Sequence, residues 1–201
     1  MTVGRAGSRA SAALILCALM SLGAAEGTST PEVAGAPSQA PAAYKIGDRG
    51  PAGGFVFYDK GEASEGWRYL EAAPRDQTDA AGIEWKSAEF ISIKTDTAVG
   101  SGKANTSAII AAQGEGRYAA TICAELDIGG YKDWFLPSKD ELDAMYVNLR
   151  GAGLGGFSDA WYWSSSQIYY NYFAWYENFE VGFQGSSYKS AEYLVRACRE
   201  F

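Results

Sequence analysis

The pattern of apolar and polar positions divides the chain into stretches of different character. Ala12 to Leu22 (AALILCALMSL) is an apolar run of eleven residues preceded by Arg5 and Arg9. As a helix it spans about 16 Å, against about 30 Å of bilayer hydrocarbon, so it predicts a signal-peptide core rather than an integral membrane span. Gly23-Ala24-Ala25 supplies small residues for cleavage before Glu26, which makes residues 1–25 the signal peptide. An uncleaved anchor is the other reading of the run. Glu26 to Ala43 contains Pro31, Pro37 and Pro41 among small residues and no aromatic, which predicts an extended spacer, residues 26–43. Aromatic and apolar positions then recur from Tyr44 to Phe201, and residues 44–201 are expected to fold as one domain.

Within that domain, Phe55-Val-Phe-Tyr58 and Trp67-Arg-Tyr-Leu-Glu-Ala72 are β-prone runs bounded by glycine and proline, as in Gly50-Pro-Ala-Gly-Gly54. Thr106 to Leu126 reads as helix, with Ile109, Ile110, Ile122 and Leu126 on a buried stripe and a break at Gly114 and Gly116. A second helix starts at the capping box Ser138-x-x-Glu141, carries Leu142, Met145, Tyr146 and Leu149 at helical spacing, and ends in Gly151-Ala-Gly-Leu-Gly-Gly156. Strand character returns from Trp161 through Val195-Arg-Ala-Cys-Arg199. The order of elements predicts an α+β fold.

Charge and composition narrow the function. The 201 residues hold 17 Lys+Arg against 24 Asp+Glu, a net −7, and no histidine. Cleavage after residue 25 removes two arginines and no acid, leaving −9. Such a chain is not expected to bind nucleic acid, which requires clustered positive charge. The absence of histidine removes the commonest general base and every His-ligated metal site, so no catalytic residue, metal or cofactor is expected. Gly100-Ser-Gly-Lys103 resembles a phosphate-loop fragment. However, Thr97 stands where its first glycine belongs, and Ala104 stands where a hydroxyl must hold Mg²⁺. Gly151–Gly156 follows a helix and is no dinucleotide turn. Asp140, Glu141 and Asp143 read as capping charges and solvated helix face. Cys17 invites a lipoprotein reading, but Leu16 stands where a small residue belongs. With Cys17 removed, Cys123 and Cys198 remain. An exported chain most often pairs such cysteines in a disulfide, and two free buried thiols are the alternative.

Trp161 to Tyr193 holds 13 of the 28 aromatic residues of the chain among Ser, Asn, Gly and Gln. That mixture is the one antibody paratopes use. In Ala174-Trp-Tyr-Glu-Asn-Phe179 the period-2 rule puts Trp175 and Phe179 on one face and Tyr176 and Asn178 on the other. Trp161, Trp163, Trp175 and Phe179 are expected in the core, and Glu177 then falls on the apolar face without an explanation. Tyr169-Tyr170-Asn171-Tyr172 does not alternate, and a core needs no consecutive tyrosines. These four residues, with Tyr176, Asn178, Phe183, Ser187 and Tyr188, are the expected ligand-binding residues.

Gly50-Pro-Ala-Gly-Gly-Phe-Val-Phe-Tyr58, Gly66-Trp-Arg-Tyr-Leu-Glu-Ala-Ala-Pro74, Gly129-Gly-Tyr-Lys-Asp-Trp-Phe-Leu-Pro-Ser138, Tyr162-Trp-Ser-Ser-Ser166, Ala174-Trp175 and Val195-Arg-Ala-Cys-Arg199 occur in that order. Together they resemble the bacterial family of C-terminal domains of Lcl collagen-like adhesins, over Tyr44 to Phe201. The resemblance implies a C-type-lectin-like fold of the branch shared with formylglycine-generating enzymes. It further implies a twisted antiparallel sheet, two helices, first and last strands that meet, and a disulfide from first helix to last strand that would suit Cys123 and Cys198. The Glu-Pro-Asn, Gln-Pro-Asp and Trp-Asn-Asp tripeptides of calcium-dependent sugar binders are absent from this chain. Some members of the family are variable proteins diversified by retroelements in their C-terminal segment.

The resulting expectation is an exported, cell-surface or periplasmic adhesin-type domain. Its aromatic C-terminal surface would bind a protein or glycan on a host or neighbouring cell. A thiol-dependent oxidoreductase of the same fold branch and a ligand-free structural envelope protein are the rival classes.

Overall fold

The computed structural model describes residues 43–87 and 89–201; the expected signal peptide, Cys17 and the spacer as far as residue 42 lie outside the described residues. In chain order the elements are β1 (Phe55–Ser64), β2 (Trp67–Ala72), β3 (Ile83–Glu84), α1 (Gly102–Gln113), α2 (Ala119–Ala124), α3 (Lys139–Met145), a π-helical turn (Tyr146–Arg150), β4 (Trp161–Gln167), β5 (Phe173–Asn178), β6 (Phe183–Tyr188), β7 (Glu192–Tyr193) and β8 (Cys198–Glu200). The fold is α+β with antiparallel strand pairing, as expected, but the strands form three small sheets rather than one: β1-β2-β8, β3-β7 and β4-β5-β6. None of the described helices is long and apolar enough to cross a membrane.

The predicted strands at residues 55–58 and 67–72 form a hairpin turning through Glu65 and Gly66, both at positive φ. The last strand pairs with β2 rather than with the first strand. The ring of Tyr44 lies 5.4 Å from that of Tyr69 and 5.1 Å from that of Phe201, so the two ends of the domain touch. The helical stretch expected from Thr106 begins four residues earlier. It is split at Gly114, whose φ of +70° ends α1 as its N–H donates to the Ile110 carbonyl. The described α-helices number three, one more than the resemblance implies, because the first helical stretch breaks at Gly114 as its sequence predicts. Ser138 caps α3: its Oγ accepts from the Glu141 N–H at 3.2 Å, and Glu141 Oε2 accepts from the Ser138 N–H at 2.7 Å.

Two apolar clusters fill the interior. One gathers Trp85, Ile109, Tyr118, Cys123, Trp134, Trp163 and Val195 between α1, α2 and β4. The other gathers Phe57, Leu70, Phe135, Leu142, Met145, Leu149, Tyr162 and Phe179 between the β1-β2-β8 sheet, α3 and β5. Trp163 and Phe179 are in the core as expected. Trp161 is not: it opens β4 at 46 % exposure. Trp175 is half-buried.

The expected disulfide is also corrected. Cys123 and Cys198 are both free thiols, each packed fully out of water in one of the two clusters, where a thiol behaves as a small hydrophobe.

Two buried carboxylates account for the glycine motifs. Glu71 Oε1 accepts from the Ala52 N–H at 3.2 Å and from Arg199 Nη1 at 2.8 Å, and its Oε2 accepts from the Gly54 N–H at 3.1 Å. A Cβ on Gly50 would come within 2.2 Å of that Oε2, which fixes glycine there. Glu141, expected on a solvated face, is fully buried. Its Oε1 takes the N–H groups of Gly100 at 2.8 Å and Gly102 at 3.4 Å. The phosphate-loop look-alike thus forms an anion-accepting turn whose anion is the protein's own carboxylate.

Candidate functional site

The β4-β5-β6 sheet has two faces, and register assigns each paired side chain to one of them. Tyr162, Glu177 and Gln184 share a face with Trp175, Ser186, Phe173 and Tyr188. Trp161, Asn178 and Phe183 share the other with Trp163, Tyr176 and Gly185, and with Gln167, Ala174 and Ser187. The expected ligand-binding residues are therefore not one surface. They divide into a tip, at the turn between β4 and β5, and a patch on the second face.

The tip is built by polar anchors. Asn171, expected to meet ligand, instead donates from Nδ2 to the Phe90 carbonyl at 2.9 Å. Gln167 receives the Ile93 N–H on Oε1 at 3.0 Å, and its own N–H donates to Thr95 Oγ1 at 2.7 Å. Lys189 is fully buried, donates to the Ile91 carbonyl at 2.9 Å and to Gln167 Oε1, and lies 4.4 Å from the centre of the Trp85 ring. Burial pushes its ammonium down to about 8. These bonds fasten the irregular segment 89–96 to the hairpin. On that support Tyr169 is 92 % exposed and Tyr170 62 % exposed, their rings edge to face at 5.4 Å. Tyr172 is exposed with its ring 5.1 Å from Phe90, and exposed Tyr188 stacks at 4.4 Å on Phe173. The sequence reading missed Phe90 and Phe173; Phe90 lies outside the aromatic segment and no local pattern marks it.

The patch is packed more tightly. Tyr176 is half-buried rather than free, with Trp161 at 5.7 Å and Tyr193 at 5.2 Å between ring centres, and burial pushes its phenol up. Gly185 leaves room for it, since a Cβ there would stand 2.7 Å from the Tyr176 hydroxyl. Ser187 Oγ accepts from the Tyr193 hydroxyl at 2.9 Å. Asn178 Oδ1 accepts from the Glu180 N–H at 2.8 Å, which shapes the β5–β6 turn. Phe183 is exposed on this face, opposite to Tyr188. Trp161 and Tyr193 belong to the patch, and neither was among the expected binding residues.

Glu177 lies on the apolar face because α3 covers that part of the sheet. Its Oε2 accepts from Gln184 Nε2 at 3.4 Å and its Oε1 has no hydrogen-bond partner among the described residues. Burial, then the charge of Asp143, pushes the carboxyl up to about 8. Burial likewise pushes both thiols well above the ordinary cysteine range. A buried, protonated thiol is a poor nucleophile.

One of the motifs that carry the family resemblance, Val195-Arg-Ala-Cys-Arg199, falls elsewhere. Arg196 is buried against Asp76, with the carbonyls of Ala73 and Gly155 completing its fork, and Arg199 joins Glu71 to Asp133. These residues hold the scaffold together, while the exposed aromatics lie outside it. The chain matches no curated protein sequence. Over residues 75–199 it matches the family model described as the Lcl C-terminal domain, and the chain belongs to that family.

Proposed function

We propose that this chain is an exported adhesin-type recognition domain without catalytic activity. Its ligand is a protein or glycan of a host or neighbouring cell surface, docking at the tyrosine tip. The observation that carries the reading is the exposure of Tyr169 and Tyr170 on a loop anchored at both sides by Asn171, Gln167 and Lys189. Large aromatic area held rigidly in water costs little entropy on binding, and exposed apolar surface of this kind marks contact sites. Membership of the Lcl C-terminal domain family supports an adhesin-like role. The depth of both thiols weighs against thiol redox chemistry.

The tip side chains make few core contacts, so their identity can change without cost to the fold. That supports the finer reading that the segment is diversified by a retroelement. A near-identical template copy beside a reverse transcriptase gene is the observation that tests it.

The functional reading is tested by pull-down of surface fractions with the domain from residue 44 onward and with its Tyr169→Ala/Tyr170→Ala variant. Loss of the captured ligand in the variant, at unchanged melting temperature, is the expected result. Equal capture by both overturns the assignment of the tip.

A further inference from the structure

Trp161 is exposed on the second face of the β4-β5-β6 sheet, where its ring meets that of Tyr193 edge to face at 5.0 Å. Together they wall a cavity of about 390 Å³ that is completed by Gly82, Ala160 and Leu194. That volume lies within the range of small-ligand sites. Its rim carries Asp159, Glu180 and Glu192 and no lysine or arginine. Asp159 is paired with Arg150. Glu180 and Glu192 have no ion-pair partner among the described residues. Glu192 stands directly across β3–β7 from Glu84, whose own charge is met by Lys86 at 3.0 Å. Like charges directly opposite each other are unfavourable, so an added cation beside Glu192 gains attraction that the fold leaves unused.

We propose that this cavity is a binding site for a cationic side chain, lysine or arginine, presented by a basic protein segment. The aliphatic stem would lie against Trp161 and Tyr193, and the charge would meet the aromatic faces and the carboxylates of Glu180 and Glu192. The net charge of −7 attracts such a partner from a distance and disfavours polyanions. The site is distinct from the tyrosine tip. Trp161 pairs with Asn178 at one end of β5, and the tip adjoins Phe173 at the other, roughly 17 Å away along the strand.

The test is fluorescence anisotropy with three labelled peptides of equal length, one rich in lysine, one with every lysine acetylated and one rich in glutamate. Acetylation keeps the stem and removes the charge. The lysine peptide is expected to bind at least tenfold tighter than the acetylated one, and the glutamate peptide not at all. Trp161→Ala and Glu192→Gln should each weaken the lysine peptide at least fivefold. Glu115→Gln with Glu125→Gln, exposed beside α2 and outside the cavity lining, should leave it unchanged. Equal binding of the lysine and acetylated peptides overturns the proposal, as does absence of binding. An equal loss in the Glu115/Glu125 variant also overturns it, by showing attraction to net charge alone. If Tyr169→Ala/Tyr170→Ala abolishes peptide binding while Trp161→Ala and Glu192→Gln do not, this site falls and the tip stands. Because Glu192→Gln is exposed and nearly isosteric, it keeps the test valid even if Trp161→Ala disturbs the sheet.

Discussion

Replacing Glu177 by glutamine should make the domain more stable in alkaline solution and leave it nearly unchanged in acid. The carboxyl sits fully buried beneath α3 with Oε1 unpartnered, and it is pushed up to about 8 from an ordinary 4.5. In the unfolded chain the same group ionises near 4.5. Between these two values the folded protein holds a proton that the unfolded protein has released, so stability falls as pH rises across that window and levels off above it. The offset spans three and a half pH units, and at about 1.4 kcal/mol per unit the loss approaches 5 kcal/mol. Glutamine keeps the shape and the polarity of the protonated acid and does not titrate. Urea unfolding of both proteins at intervals from pH 5 to pH 9 isolates the effect, because every other titrating group is common to both. The stability of the variant relative to the parent should rise by several kcal/mol between pH 5 and pH 8 and stay level above. A difference constant to within about 0.5 kcal/mol across the range, or one that changes in the opposite sense, would refute the reasoning.

Alkylation of the native protein should label neither Cys123 nor Cys198, and labelling in denaturant without reductant should modify both, as read by intact mass; an unlabelled pair would mean a disulfide. Tyr169→Ala and Tyr170→Ala should each change unfolding free energy by no more than about 0.5 kcal/mol, whereas Trp163→Ala should cost roughly 3–5 kcal/mol in the same denaturant titration. Gly102→Ala places a Cβ 2.2 Å from Glu141 Oε2 and 2.9 Å from the Ser138 nitrogen, and should lower stability by about 1–3 kcal/mol; a neutral melting curve would show that α1 can shift away from α3.

Local chemistry made several elements legible. The aromatic runs at residues 55–58 and 67–72 are strands because their glycine borders leave them nothing else to be. Ser138 and Glu141 announce the start of α3 by a reciprocal pair of hydrogen bonds that only four residues need to make. What depends on distant neighbours was hidden. Alternation correctly places Trp175 and Glu177 on one side of β5. It carries no information on where α3 covers that side, so Glu177 was anomalous and Trp175 overestimated. The same limit explains Trp161 and Trp163, two residues apart on one face, one exposed and one sealed. Glu141 looked like a surface charge because the Gly100 and Gly102 amides that receive it come from a loop about forty residues earlier. For the site, the concentration of tyrosine, serine and asparagine marked the segment that carries the most exposed tyrosines. The partition of that segment into a tip and a patch required the strand register, and Asn171, Asn178 and Ser187 turned out to hold the backbone and neighbouring side chains in place.

The contact of Tyr44 with Phe201, beside the β2–β8 pair, bears on how the domain can be joined to other chains. Residues 44 and 201 lie close enough for a few added residues to bridge them. The fold can therefore be spliced into a surface loop of an unrelated scaffold, entering and leaving through one narrow gap without prying its host apart. The same closure makes circular permutation feasible. With the present ends linked and new ends cut within Gly151–Gly156, where the backbone is exposed apart from Gly155, the strand pairings of all three sheets would be retained. Display of the domain on a carrier is thus a matter of choosing a loop rather than of finding a free terminus.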